Sequence, residues 1–393
     1  MDHHSKGKVT PDAGTVARAA DFAAEIRERA ADIEAARRMP EDLAARMAAA
    51  GLFRSLVPAR YGGGQVHPRE FFDAVMTTAE ADGSVGWCLM IGASTGLLAA
   101  TLADEAAEAL FAANPDAIVT GVTAPIGKAE VVPGGVRVSG RWPFGSASQV
   151  SQWICGGSVV LENGEPRQAA QGGPEVILPL FEASEVRIHD SWHTSGLCGT
   201  GSNDIEVRDA FVPEGHWVPL GVPPRVDAPL YRFPFFGLLA LGVSAVCLGI
   251  ARHAIGAFTE LAGGKRPTGS RRTLAQRGST QQDLARAEAL VASGQALTYQ
   301  AIDRAWQQAE RVDRLDRDIK AQLRLAATNN AWSAAEAVDR LYHAAGGTSI
   351  YRSNVLQRCF RDVHVATQHL MVAQPIYEVV GRVMLGMDPK TPL

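Results

Sequence analysis

The chain has 393 residues, with 38 Lys+Arg against 42 Asp+Glu and a formal net charge of −4 with His neutral. Hydrophobic residues make up 46% and charged residues 20%, which excludes wholesale disorder and leaves chain enough for two or three domains. The slightly acidic balance argues against a nucleic-acid partner, which calls for a basic excess or stripe.

The N-terminal string MDHHSKGKVTPDAG is polar and lacks the apolar core of a signal peptide, and His3-His4 is too short to argue for a metal site. Val16, Ala19, Ala23, Ile26, Ala30 and Ile33 then recur at helical spacing and predict one helix with one apolar stripe. A second helix opens near Pro40 and stops before Gly51. Tyr61-Gly62-Gly63-Gly64 reads as a loop; His67-Pro68 starts another helix, which Asp82-Gly83-Ser84 breaks.

Near Ala117 the composition shifts. Up to about Pro213, Val136 and Val138 alternate with Arg137 and Ser139, and Ile205 and Val207 alternate with Glu206 and Arg208. Pro133-Gly134-Gly135 is a hairpin turn signal, and the short strands predict a small antiparallel barrel or sandwich. Trp142, Trp153, Trp192 and Trp217 gather in or beside this section. They could wall a flat aromatic ligand, with ordinary core packing as the default.

A Pro-rich link (Pro219, Pro223, Pro224, Pro229) returns the chain to helix. Phe233 to Ala251 carries no charge and approaches the length of a membrane span. Pro234, Gly237, Gly242 and Gly249 punctuate it, so it reads as a buried bundle helix and no membrane role is expected. Ala287, Leu290, Gly294, Leu297 and Ala301 follow helical spacing; further helices are predicted from about Arg314 to Ala344 and from Ser353 to Met384, parted by Gly346-Gly347. Four long helices make a four-helix bundle.

Chemistry is scarce when the residues are read alone. The five cysteines (Cys88, Cys155, Cys198, Cys247, Cys359) are scattered and include no C-x-x-C, which excludes a disulfide framework and points to a reducing cytosol. No G-x-G-x-x-G follows a strand, and neither a Walker motif nor G-x-S-x-G occurs. His364 and His369 are five apart, the wrong spacing for a metal pair on one helix face, and no metal is expected. His369, among Leu370, Met371 and Val372, is by default a packed residue; the alternative is a buried base or donor with a tuned pKa. Gly199-Thr200-Gly201-Ser202 either turns the barrel tightly or lets backbone approach a ligand.

Four strings add more: DGSVGW (82–87), GRWPFGSASQVSQW (140–153), WHTSGLCGTGSNDIEVRDAFVP (192–213) and AAGGTSIYRSNVLQRCFRDVH (344–364). With them the chain resembles the acyl-CoA dehydrogenase superfamily over nearly its whole length. The resemblance implies an α+β, mainly α fold: an α-helical N-domain (1–116), a β-barrel (117–218) and a C-terminal four-helix bundle (219–393). It implies a homotetramer with flavin between barrel and bundle, partly against a neighbouring subunit.

Dehydrogenases of the superfamily need a carboxylate base. Its common place, nine residues after the Arg of Arg361-Asp362, is Leu370; no acid stands between Asp227 and Glu260 in the first bundle helix, and Glu378 falls two turns too late. WHTSGLCGTGS and RDVHVATQH are more similar to the oxygenase components of two-component flavin monooxygenases. That branch takes reduced FMN or FAD from a separate NAD(P)H reductase and forms a C4a-hydroperoxide with O2. It then puts one oxygen into a small, ring-containing molecule.

By position, Ser146 matches the serine near flavin N5, and His369 the histidine facing C4a and substrate. Trp142 and Trp153 match flavin-packing positions, and Gly346, Gly347 and Thr348 match the loop beside the flavin. Cys88, Met90, Phe235 and Phe236 could line the pocket, with core packing as their default. A second histidine found in phenol-hydroxylating members is replaced by Gly92-Ala93-Ser94-Thr95, so N- or S-oxygenation and attack on another heteroaromatic ring stay open. The competing readings are an acyl-CoA dehydrogenase or flavin oxidase with its base elsewhere, and a flavin-free binding protein of the same fold.

Overall fold

The computed structural model describes residues 14–170, 172–391 and 393; His3-His4 and most of the polar N-terminal string lie outside them. The first apolar stripe is carried by two helices rather than one, α1 (Thr15–Asp21) and α2 (Ala23–Ala36), with a break at Phe22. The break lets both halves rest on α4 (Pro68–Ala81), with Ala19, Ile26, Ala30 and Ile33 buried. Between them lies α3 (Glu41–Ala49). Asp82 ends α4 and caps α5 (Gly83–Thr95): its Oδ1 accepts from the N–H groups of Ser84 (2.9 Å) and Val85 (3.1 Å). The short α6 (Asp104–Ala107) closes this part.

The strands are β1 (Val119–Val132), β2 (Gly135–Gly145), β3 (Trp153–Glu162), β4 (Glu165–Pro166), β5 (Val176–Glu182), β6 (Arg187–His189), β7 (Asn203–Pro213) and β8 (Trp217–Pro219). They pair in the order β6-β7-β2-β1-β3-β5-β8, with β4 on β3. The hairpin turns at Pro133-Gly134, where Gly134 has φ +78° and Val132 pairs with Gly135. Two expectations need correction. The β1–β3 pair runs parallel, and the sheet does not close, because the edge strands β6 and β8 are not paired with each other. It curls instead: Trp142 on β2 and Phe181 on β5 have ring centroids 6.2 Å apart although their strands are not neighbours. Val138, Ile154, Val160, Ile177, Ile205 and Val207 fill the space inside.

After α7 (Pro229–Arg232) come the long helices α8 (Phe235–Gly264), α9 (Gly278–Ala309) and α10 (Arg317–Ala345). Every residue of α8 from Gly237 to Ala251 is buried, as its unbroken apolar run requires. A Cβ at Gly249 would stand 2.4 Å from the Met76 carbonyl oxygen, so that glycine brings α8 onto α4.

The last predicted helix is in fact two, α11 (Val355–Ala366) and α12 (Pro375–Met384). Pro375 has no N–H to continue a helix, and the chain turns through residues 367–374. Side chains of α10 satisfy the carbonyls this frees: Arg324 Nη2 donates to Met371 O (3.2 Å) and Trp332 Nε1 to Val372 O (3.0 Å). His369 sits in this break.

Candidate active site

The barrel side of the site begins with an irregularity. The β2–β7 register shifts between Trp142 and Gly145, and Phe144 takes φ +66°. Trp142 and Phe144 would share one face of a regular strand. Instead Trp142 is fully buried in the sheet core, donating from Nε1 to Gly157 O (2.7 Å), while Phe144 is 66% exposed and edge-on to Trp192. Trp142, expected beside the flavin, is thus packed within the sheet core of this chain; Phe144 is the open ring two residues from Ser146.

Ser146 is 4% exposed and ends a chain of hydroxyls. Thr200 Oγ1 donates to Leu197 O (2.8 Å), which uses its only proton. Ser202 Oγ, 2.7 Å away, must then donate to Thr200, and Ser146 Oγ, 2.6 Å from Ser202, must donate to Ser202. Ser146 Oγ also accepts from Trp87 Nε1 (3.1 Å). Its proton is thus committed inward, and what it offers a ligand is an acceptor lone pair. The glycines of Gly199-Thr200-Gly201-Ser202 have a local reason: Gly201 has φ +53°, and a Cβ on Gly199 would meet Ile33 at 2.4 Å.

Trp87 on α5 joins this edge to the bundle. Its indole lies 5.5 Å, edge-on at 70°, from the His369 imidazole. Trp87 lies in the string DGSVGW, outside the tryptophan cluster of the strand region, and no spacing rule in the sequence marks it as a site residue. His369 Nδ1 accepts from the Met371 N–H (3.3 Å), so the neutral ring carries its proton on Nε2. Nε2 makes no hydrogen bond with the described residues. Burial, with a contribution from the Arg324 charge, pulls the His369 pKa down to about 4. At neutral pH the ring is an uncharged Nε2–H donor.

Carboxylates are kept away. Among the described residues none is hydrogen-bonded to Ser146, Trp87 or His369. Leu370 is exposed, and so is Glu378 on α12. Asp362 is buried, and burial pushes its pKa up to about 7; its Oδ1 accepts from the Leu197 N–H (2.6 Å) and so steadies the turn that anchors the hydroxyls. Ser94 and Thr95 spend their hydroxyls on Ile91 O of their own helix.

The structure brings Ser146 and His369 together through Trp87 and leaves the other expected residues apart. Trp153 lines a different cleft, with Gln149, Gln152 and Glu182. Gly346, Gly347 and Thr348 follow the far end of α10, about 33 Å along the helix from Arg324 at ~1.5 Å per residue. Cys88 and Met90 are buried, Cys88 with Sγ 3.8 Å from Thr200 O, while Phe235 and Phe236 are partly buried against the same core.

The chain as a whole is similar to known proteins. Residues 15–112 match the family model for the acyl-CoA dehydrogenase N-terminal domain, and 241–374 that for its C-terminal domain. An indole-3-acetate monooxygenase of Pseudomonas putida is 33% identical over 363 residues, covering 92% of this chain and 91% of that protein. The chain belongs to the acyl-CoA dehydrogenase superfamily. Within the superfamily it falls in the reduced-flavin monooxygenase branch. An FADH2-dependent resorcinol hydroxylase oxygenase component of Rhizobium sp. (strain MTP-10005) is 28% identical over 97% of this chain and 96% of its own. The solved structure of XiaF from Streptomyces sp. in complex with FADH2 and glycerol superposes with a TM-score of 0.88, at 25% identity and 97% coverage of both chains. This superfamily member is a flavin-dependent monooxygenase, the oxygenase component of a two-component system, working with reduced flavin on a small molecule.

Proposed function

We propose that this monooxygenase hydroxylates an indole-type ring compound, with Ser146 on the flavin side and His369 on the substrate side of the reacting centre. The observation that carries the reading is the direction of the hydroxyl chain. Reduced flavin bears a hydrogen on N5 and oxidised flavin does not. A Ser146 oxygen with its proton already given to Ser202 suits the reduced form.

Bound reduced flavin would supply the electrons and the place where O2 is activated. This chain's residues would do the rest. Phe144, the open ring beside Ser146, would cover the flavin. His369 Nε2–H would donate to developing negative charge on oxygen without titrating, because Nδ1 is held by Met371. Trp87 touches both groups, and among the described residues no carboxylate is hydrogen-bonded to them that could take a proton from carbon.

The ring class rests on the Pseudomonas putida relative, whose name gives indole-3-acetate as substrate. Trp153 and the Gly346-Gly347-Thr348 loop lie away from Ser146 in one chain, so we assign them to flavin shared with a second copy in a homotetramer. Exposed Ile350, Tyr351, Met384 and Leu385 in the last part of the chain support such assembly. The five free cysteines accord with a reducing compartment, and we assign the enzyme to the cytoplasm with a separate NAD(P)H flavin reductase as its electron source.

The test is oxygen consumption with chemically reduced FAD or FMN, with indole-3-acetate and the ring-only compound indole as substrates. Transfer of one oxygen atom to the ring is expected. Oxygen uptake that yields only peroxide with every indole tried would overturn the substrate reading.

A further inference from the structure

Arg324 stands on the inner side of α10, 3% exposed, in a position that a charged side chain rarely holds without a counter-ion. Among the described residues no carboxylate lies within ion-pair distance of it. Its one hydrogen bond goes from Nη2 to the neutral Met371 carbonyl. Nε is buried with no partner, and one turn along the same face the Thr328 hydroxyl is likewise buried and unpartnered. Met371 links this pair to the site directly, because its N–H holds His369 Nδ1.

A buried guanidinium costs several kcal/mol of desolvation unless an anion joins it. Its planar fork of N–H donors matches a carboxylate with two parallel hydrogen bonds. The hydroxyls of Ser94 and Thr95, at the end of α5, are spent on Ile91 O and offer no alternative anchor.

We propose that Arg324, assisted by Thr328, is the substrate anchor: it pairs with the carboxylate of an aryl-alkanoic acid and so places the ring beside Trp87 and His369. This names the substrate class of the proposed monooxygenase and rests on that reading for the site, though the anchor itself is tested by binding alone. It makes the acid group, rather than the ring, the main source of selectivity. A neutral ring would bind there weakly and leave the buried cation unpaired.

The experiment compares matched acids and amides: indole-3-acetate with indole-3-acetamide, and phenylacetate with phenylacetamide. Dissociation constants are measured for the full chain with reduced FAD under anaerobic conditions. Wild type should bind each acid about 30-fold or more tightly than its amide, the lower range for losing one partner of a buried charge pair. Arg324→Gln should abolish that preference with little change for the amides, and Arg324→Lys should restore part of it. Equal binding of acid and amide by wild type would overturn the proposal whether or not any variant folds. Equal weakening of both ligands by Arg324→Gln would also overturn it and leave Arg324 as a support of the His369 loop. A clear acid preference with phenylacetate and no oxygenation of indoles would keep the anchor and sink the ring assignment.

Discussion

The two edges of the site are built from opposite materials. On the sheet side Ser146, Ser202 and Thr200 form a closed run of neutral hydroxyls, each proton assigned by the next, ending on the Leu197 carbonyl. Nothing in it titrates near neutrality. On the bundle side the break between α11 and α12 holds an imidazole whose pKa is drawn down, and α10 sets against it a guanidinium with no counter-ion among the described residues. One edge recognises by hydrogen-bond direction and the other by charge. Sensitivity to redox state should therefore map to the sheet edge, and sensitivity to pH and substrate charge to the bundle edge.

The strongest way to break that division is at His369. His369→Ala should reduce oxygen transfer by about 100-fold or more, in the range for a positioned donor or acid–base group, while reduced-flavin affinity stays near wild type. His369→Asn, which keeps an N–H donor, should recover a measurable part. The wild-type pH–rate profile should show no step belonging to His369 between about pH 6 and 9, because the ring is already neutral there; a step near 7 belongs to Asp362. Loss of flavin binding in both variants would merge the two edges into one.

The pH dependence of stability tests the same edge. Unfolded, His369 takes up a proton near 6.5; folded, it resists until about 4. As pH falls from about 6.5 to about 4 the unfolded chain binds a proton that the folded one refuses, so His369 removes stability, up to a ceiling of about 3 kcal/mol. Denaturant melts of wild type and His369→Asn should therefore converge or cross as pH falls through this window. Asp362, raised to about 7, has the opposite sign and loses stability as pH rises from about 4 to about 7, so the difference between the two proteins, not the wild-type curve alone, isolates the histidine.

On the sheet edge the handle is the direction of the hydroxyl chain. Thr200→Val removes the group that accepts from Ser202 and frees the serines to reverse. Ser146 could then donate as readily as accept, and the preference for reduced over oxidised flavin should fall about 5- to 10-fold, the worth of one hydrogen bond. Fluorescence titration with oxidised flavin and anaerobic titration with reduced flavin supply the ratio. An unchanged ratio would remove the redox-sensing role from this edge.

The sequence makes much of this legible and hides the rest for definite reasons. The hairpin at Pro133-Gly134, the helix break at Asp82-Gly83-Ser84 and the buried α8 follow local rules, and Ser146 and His369 match family positions. Phe144 was not found, because a non-glycine residue at φ +66° inside a bulge leaves no periodic trace; Trp142, the more prominent ring, took its place. The parallel β1–β3 pair was missed because short alternating strands say nothing of their partners' direction. The break after Ala366 leaves no periodic mark in the sequence, because apolar residues recur at helical spacing on both sides of it and the groups that stabilise it are remote. Arg324 and Trp332 stand 47 and 40 residues before the carbonyls they hold.

That remoteness sets the smallest test. Trp332 makes no hydrogen bond to Ser146 or Trp87, and its Nε1–H goes to the Val372 carbonyl. Trp332→Phe keeps most of the ring and removes this one bond, at a cost of about 1 kcal/mol. If the loop is a rigid mount for His369, a few-fold drop in turnover should come with faster amide exchange at Val372 and Ala373, whose N–H groups donate to His369 O. Flavin affinity should not move, since the sheet edge is untouched. Faster exchange with full turnover would mean that His369 needs no mount; slower turnover with unchanged exchange would mean that Trp332 acts on the substrate rather than on the loop.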